Sequence, residues 1–146
     1  MRTITSACTC VVVGLAAAGV SRVLDSGFLG SFLSANLLVL LIALMAINTT
    51  TVSVILTKMR EIADANPRVD FAATRRAMQG ATIEQMVLIV LAAVLLVANG
   101  SPRLVAAVPH ASYIITSLLV AVFVFALQIL YDTAHAVYVI LDHDEG

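Results

Sequence analysis

The 146-residue chain is 61% hydrophobic and 12% charged, which is about half the charged fraction of an average soluble domain. Its net charge is −1, and it has no run of Lys and Arg and no aromatic cluster that could stack on bases, so nucleic-acid binding is not expected. We predict an all-α integral membrane bundle of four transmembrane helices with a helical cytoplasmic loop, forming a single multi-pass domain over residues 1–146.

The first predicted span, at about residues 4–20, is the least apolar of the four. Gly14 and Ala18 lie one helical turn apart, and small residues at this spacing let helix backbones approach closely in lipid. We therefore expect a helix that crosses the bilayer and packs against its neighbours, although a segment lying at the interface is the alternative. Cys8 and Cys10 would point about 200° apart on this helix, so they are predicted to be packing residues and not metal ligands.

The second span is predicted at about residues 28–57, inside the longest uncharged stretch of the chain, residues 26–57. These 32 residues would form a helix of roughly 48 Å, more than the bilayer core of about 30 Å. The helix should continue to about Ala65, because Lys58 and Glu61 have a helical pairing distance. This helix has two candidate packing surfaces. One is near its start and contains Gly27 and Gly30. The other is a stripe of seven-residue spacing that contains Asn36, Ala43 and Thr50.

The loop at residues 58–82 contains five of the eight basic residues, which places it in the cytoplasm by the positive-inside rule. Within it we expect a separate short helix at residues 71–78, capped by Asp70 and ended by Gln79 and Gly80, with a new helix beginning at Thr82. The basic side chains are candidates for docking a soluble cytoplasmic protein: Lys58, Arg60, Arg68, Arg75 and Arg76.

The third and fourth spans are predicted at about residues 83–99 and 111–131, separated by a Gly- and Pro-containing turn. The fourth helix should continue into a cytoplasmic tail at residues 132–146, so both termini face the cytoplasm. Gln128, Asp132 and His135 share one face of this helix. That face is either a hydrated helix end or a functional site, which could be a proton relay or half of a metal site, and we expect it to pack against the second helix near residues 48–51.

No catalytic, cofactor-binding or metal-binding motif is present in the sequence, so we expect no enzyme, no cofactor and no metal. The pattern favours a non-enzymatic multi-pass protein of the inner membrane that forms a homo-oligomer and docks a cytoplasmic partner. An anchor, sensor or effector subunit of a bacterial signalling, stress or phage-defence system would fit. The alternative is an oligomeric ion channel lined by Asn, Thr and Gln side chains, and a small transporter is less favoured.

The predicted topology is tested by cysteine labelling in intact cells, with Cys8 and Cys10 replaced by serine. Cysteine at position 68 or 76 should react with a membrane-impermeant maleimide only after lysis, because the positive-inside rule holds this loop in the cytoplasm. Cysteine at position 103, on the opposite side, should react in intact cells. Labelling of position 68 or 76 from outside would show that the topology is wrong.

Overall fold

The computed structural model describes residues 2–24, 27–65, 71–102 and 110–142, with side chains at 8–20, 23–24, 27–64, 71–102 and 110–137. It is all-helical, which confirms the predicted fold class, and this part of the chain contains four helices. The helices are α1 (Arg2–Val23), α2 (Phe28–Ala65), α3 (Ala72–Asn99) and α4 (Ala111–Asp142). Three features discussed from the sequence lie outside the described residues: Arg68, Asp70 and the end of the C-terminal tail, residues 143–146.

Three of the four helices are long and apolar enough to cross a bilayer. The stretches are Phe28–Asp64, Ala72–Asn99 and Ala111–Val137, and they identify a multi-pass membrane protein by length and composition. In α1 the apolar stretch with described side chains is shorter, Cys8–Val20. A crossing by α1 therefore stays a prediction.

The loop at residues 58–82 does not contain the separate short helix that the sequence predicted. Residues 72–80 form the first turns of α3, which continues through Gly80 without a break. The Thr82 hydroxyl donates to the backbone carbonyl of Met78 at 3.1 Å, inside the helix, so Thr82 is not an N-cap. The predicted break at Gln79 and Gly80 was wrong because Gly lowers helix stability by only about 1 kcal/mol, which the packing of a long helix overcomes.

The helix α4 lies at the centre of the fold and packs against each of the other three helices. In its most apolar segment 44% of the residues are buried, against 17% in the corresponding segments of α2 and α3. The main apolar cluster joins α4 to the inner faces of α2 and α3. Its buried residues are Leu33, Leu37, Leu41, Leu88, Ala92, Ile115, Leu119, Val120, Val122, Ala126 and Ile129.

The helices α2 and α3 form an antiparallel hairpin joined at three levels. Ser34 and Asn99 form a hydrogen bond of 3.3 Å at one end, and the Asn48 and Gln85 amides meet at 2.9 Å in the middle. At the other end a second apolar cluster contains Met59, Met78 and Phe71. These contacts set the register of the hairpin.

The helix α1 packs antiparallel to α4, and their closest approach is at Gly14. A Cβ atom at Gly14 would collide with the carbonyl oxygen of Ser117 and would lie 3.0 Å from the backbone nitrogen of Ala121. At one end of the interface the Tyr113 hydroxyl donates to the Leu15 carbonyl at 3.2 Å. Because α1 and α3 both contact α4 at a distance from each other, an apolar groove of about 240 Å³ remains between them, lined in part by Leu91.

Adding one methyl group at Gly14 should separate α1 from α4. Gly14→Ala is expected to lower the free energy of unfolding in micelles by about 1–3 kcal/mol, the usual cost of overpacking. The measurement is loss of helical circular dichroism on titration with a denaturing detergent. Gly80→Ala is the matched control, since no atom lies within 4 Å of its added Cβ. It should be neutral or stabilising by about 0.5–1 kcal/mol, and equal effects at both positions would contradict the close approach.

Candidate functional site

The helix α2 has two stripes of seven-residue spacing on opposite faces. The inner stripe, which contains Leu41, Asn48 and Ile55, is buried against α3 and α4. The outer stripe lies two residues further along the chain, about 200° around the helix. The structure places all three of its predicted packing or pore-lining residues, Asn36, Ala43 and Thr50, on the exposed face.

Most hydroxyl groups on the outer face of α2 are satisfied by their own helix. Thr49, Thr50 and Ser53 each donate to the carbonyl four residues earlier, at 2.8–2.9 Å. Such bonds let Ser and Thr face lipid at little cost. Asn36 differs, because its amide donates to the Phe32 carbonyl at 3.0 Å and its side chain has capacity for further hydrogen bonds. Asn36 is therefore the residue on this face that gains most from a partner.

The predicted small packing residues of α1 and of the start of α2 are used mainly within the chain. Ala18 is buried and Gly14 contacts α4. A Cβ atom added at Gly30 would lie 3.6 Å from the Thr116 hydroxyl of α4. Gly27 is exposed, and no atom lies within 4 Å of an added Cβ there. The interfaces of α1 and of the α2 start thus account for Gly14, Ala18 and Gly30, whereas Asn36, Ala43 and Thr50 are exposed on the outer face of α2.

The most buried polar site is the amide pair of Asn48 and Gln85. The two residues are 1% and 0% exposed, and the Asn48 Nδ2 donates to the Gln85 Oε1 at 2.9 Å. The Asn48 Oδ1 and the Gln85 Nε2 have no partner among the described residues, so one of the two hydrogen bonds available to facing amides is formed. This pair was not predicted from the sequence, although an Asn and a Gln within two neighbouring apolar runs are the signal that could have suggested it.

The predicted polar face of α4 divides between two neighbouring helices. Gln128 is half-buried, and its Oε1 accepts a hydrogen bond from the Cys10 thiol of α1 at 3.4 Å. Asp132 lies on the wall of a crevice of about 370 Å³ between α3 and α4, together with Glu84 and Thr133. The expected packing against residues 48–51 was wrong, because Asn48 pairs with Gln85 and the crevice wall opposite Asp132 belongs to α3.

The two ends of the predicted Asp132–His135 relay have different surroundings. The His135 ring is exposed and stacks on Tyr131, with ring centroids 6.2 Å apart. Glu84 and Asp132 carry like charges on the crevice walls and so cannot form an ion pair with each other. Over the residues with described side chains, no three His, Cys, Asp or Glu side chains group together as metal ligands would. His110 directly precedes α4. It is exposed and has a φ of 63°.

The basic residues gather where α2 ends and α3 begins. Lys58 forms an ion pair of 2.6 Å with Glu61 on its own helix, as their spacing predicted. Arg60 and Arg75 line opposite walls of one cleft between α2 and α3, and Arg76 is exposed beside them. Four of the five predicted docking residues thus lie on described helices, and Arg68 lies outside the described residues.

The amide pair can be tested by a double-mutant cycle with Asn48→Leu and Gln85→Leu. Each single change buries an unpaired amide and should lower the free energy of unfolding by about 1–3 kcal/mol. The double variant should recover about 0.6–2 kcal/mol of the summed loss, which is the range for polar contacts between membrane helices. Thr51→Val is the control, since that hydroxyl bonds to its own helix. Strictly additive losses would show that the two amides do not interact.

No protein-family model, curated protein or solved structure matches this chain. The function is therefore inferred from the chain itself. The three long apolar helices establish a multi-pass membrane-like helical protein by composition. Two surface features remain that the interior of the chain does not use: the outer face of α2, and the basic cleft where α2 meets α3.

Proposed function

We propose that this chain is a non-enzymatic multi-pass protein of the inner membrane that assembles with copies of itself through the outer face of α2 and presents a charged helical end to a soluble cytoplasmic partner. One observation carries the proposal. Asn36 lies exposed within an apolar helix, although an amide that faces hydrocarbon without partners is costly. A second copy of α2 would supply those partners.

The residues around Asn36 favour contact between two helices. Exposed residues continue from it at alternating spacings of three and four, which is the spacing of a left-handed pair of helices. These residues are Val39, Ala43, Ala46, Thr50, Ser53 and Thr57, and all of them except Val39 are small or bear a short hydroxyl. In lipid, helices associate through close packing and polar contacts rather than through the hydrophobic effect, so small residues at the centre of such a surface favour association.

The flanks of this surface differ from its centre. Ile42, Ile47 and Val54 are more than half exposed and are branched aliphatic residues, which suit contact with acyl chains. Side chains that are mostly small or polar at the centre and branched and apolar at the sides are typical of a helix that contacts another helix along one line and lipid on either side of it.

The charged end of the α2–α3 hairpin supports docking of a cytoplasmic partner. The helix α2 continues past its apolar run through Lys58, Glu61 and Asp64, and α3 begins with Arg75 and Arg76 in its first two turns. These two helical ends form a charged projection whose side chains are mostly exposed. Surface charges of both signs suit recognition of a partner whose own charges are complementary.

The channel alternative needs Asn, Thr and Gln side chains in one pore. Asn36 and Thr50 share the outer face of α2, whereas Gln128 lies on α4 and accepts a hydrogen bond from Cys10 of α1. A pore built from copies of α2 would therefore be lined by Asn36 and Thr50 without Gln128. The packed assembly of α2 helices is the simpler arrangement, because it requires only close contact.

Self-assembly is tested by disulfide cross-linking in membranes, with Cys8→Ala and Cys10→Ser so that serine keeps a donor for Gln128. Ala43→Cys should give a covalent dimer under mild oxidation, because it lies on the line of contact. Val90→Cys should not give a covalent dimer, because Val90 is 64% exposed on the outer surface of α3, away from this line. Adding Asn36→Leu should weaken the dimer roughly 3- to 30-fold, the worth of a polar contact between membrane helices.

Equal cross-linking at positions 43 and 90 would contradict a specific surface on α2. Absence of any cross-link at position 43, with a monomeric mass in mild detergent, would contradict self-assembly. Ion conductance by the wild-type chain in liposomes, lost in Asn36→Leu, would favour the channel over the scaffold.

A further inference from the structure

The cleft where α2 ends and α3 begins combines an apolar floor with a cationic rim. Its volume is about 370 Å³, within the range of roughly 300–1,000 Å³ of small-molecule sites. Leu56, Met59 and Phe71 line its apolar part, and Arg60 and Arg75 stand on opposite walls.

The sequence builds this arrangement from one repeated spacing. Leu56 and Arg60 are one turn apart on α2, and Phe71 and Arg75 are one turn apart at the start of α3, so each wall has an apolar residue followed by an arginine. Met59 is buried between the helices and packs with Phe71, which joins the two walls. The backbone N–H of Arg75 donates to the Phe71 carbonyl at 3.0 Å and closes the first turn of α3.

The two guanidinium groups are available for an anion. Both arginines are exposed, and neither forms an ion pair within the part of the chain that the structure describes. Lys58, in contrast, is held by Glu61 at 2.6 Å. A guanidinium offers paired N–H donors in a plane, which match the oxygens of a phosphate, and two of them can hold one phosphate from both sides.

The cleft lies at the level where a lipid headgroup would be. The uncharged stretch of α2 ends at Thr57, three residues or about 5 Å of helix before Arg60. Leu56 and Val54, on the apolar side of this boundary, are partly exposed to the surroundings of the helix. Basic pockets between membrane helices at the cytoplasmic side are suited to anionic headgroups.

We propose that the Arg60–Arg75 cleft binds the phosphate of an anionic phospholipid, whose acyl chain continues along Leu56 and the apolar surface of α2. The proposal rests on the membrane placement in the proposed function and not on self-assembly. A lipid is favoured over an acidic peptide because the apolar floor is continuous with the bilayer side of the helix. The bound lipid would hold the α2–α3 hairpin at a fixed depth.

The test is native mass spectrometry of the full chain in mild detergent with phosphatidylglycerol or phosphatidylcholine of identical acyl chains. Phosphatidylglycerol should bind more tightly. Arg60→Gln and Arg75→Gln should each weaken its binding about fivefold, the worth of one basic residue near an anionic surface, and together about 25-fold. Arg60→Lys with Arg75→Lys keeps the charge and should retain most of the preference.

Three controls make the result decisive. Arg76→Gln removes the same charge beside the cleft, where the side chain does not line it, and should leave binding unchanged. Helicity measured by circular dichroism identifies any variant that does not fold. If the glutamine variants do not fold, the lysine variant still tests whether the charge at these two positions is enough for the lipid preference. Inorganic phosphate at millimolar concentration should not displace the lipid, because it cannot use the apolar floor.

Several outcomes would overturn the inference. Unchanged binding in the double glutamine variant, or an equal loss in Arg76→Gln, would show diffuse attraction instead of a site. Displacement by inorganic phosphate would indicate a soluble anion, and displacement by a Glu-rich peptide would indicate a protein partner. The same spectra report the number of chains, so a monomer that prefers phosphatidylglycerol contradicts self-assembly alone, whereas a dimer without that preference contradicts this inference alone.

Discussion

The packing of α4 against all three of its neighbours is the constraint on which the rest of the structure depends. Leu119 and Ala126 of α4 are fully buried, and so are Leu37 and Leu41 of α2. Hydrocarbon surrounds apolar side chains as favourably as a protein interior does, so a membrane helix gains little from burial alone. The helices must therefore be held together by complementary shape. At Gly14 the absence of a side chain lets the backbones of α1 and α4 approach closely.

The polar groups within the apolar helices follow from the same constraint. Asn48 pairs with Gln85, Cys10 pairs with Gln128, and the hydroxyls of α2 bond to their own backbone. Each arrangement keeps a polar group from facing hydrocarbon without a partner. Asn36 also keeps unused hydrogen-bonding capacity, but it does so on a face that no other helix covers in the part of the chain that the structure describes. That contrast with the interior connects the packing of a single chain to the proposed assembly of several.

The charged end of the hairpin, where α2 ends and α3 begins, is organised differently, by charge and not by shape. Lys58 is neutralised by Glu61, while Arg60 and Arg75 point into a shared cleft above an apolar floor. A cation at the edge of an apolar span can be matched by protein or by the bilayer surface. Under the proposed lipid binding, the two unpaired cations would link the depth of the hairpin to the composition of the surrounding membrane, and Arg76 would stay available to the proposed soluble partner.

Local sequence properties were enough for the all-helical class, the three long apolar helices and most of the helix ends. Uncharged runs long enough to span a bilayer predicted α2, α3 and α4, since a helix in lipid must be apolar over its whole circumference. For the same reason the sequence said little about which face of a helix looks inward. The seven-residue stripe at Asn36, Ala43 and Thr50 was visible in the sequence, but its exposure was not, because the opposite stripe also combines apolar residues with one Asn.

Only the tertiary structure decided the partners. It joined Asn48 to Gln85 and placed Asp132 opposite Glu84, two pairs that are 37 and 48 positions apart in sequence. It also continued α3 through Gly80, where local signals predicted an end. The sequence by itself determined that this chain is a set of long apolar helices, because that property is a sum over neighbouring residues. Which residues meet depends on the fit between whole helices, and that fit is not encoded in any one of them.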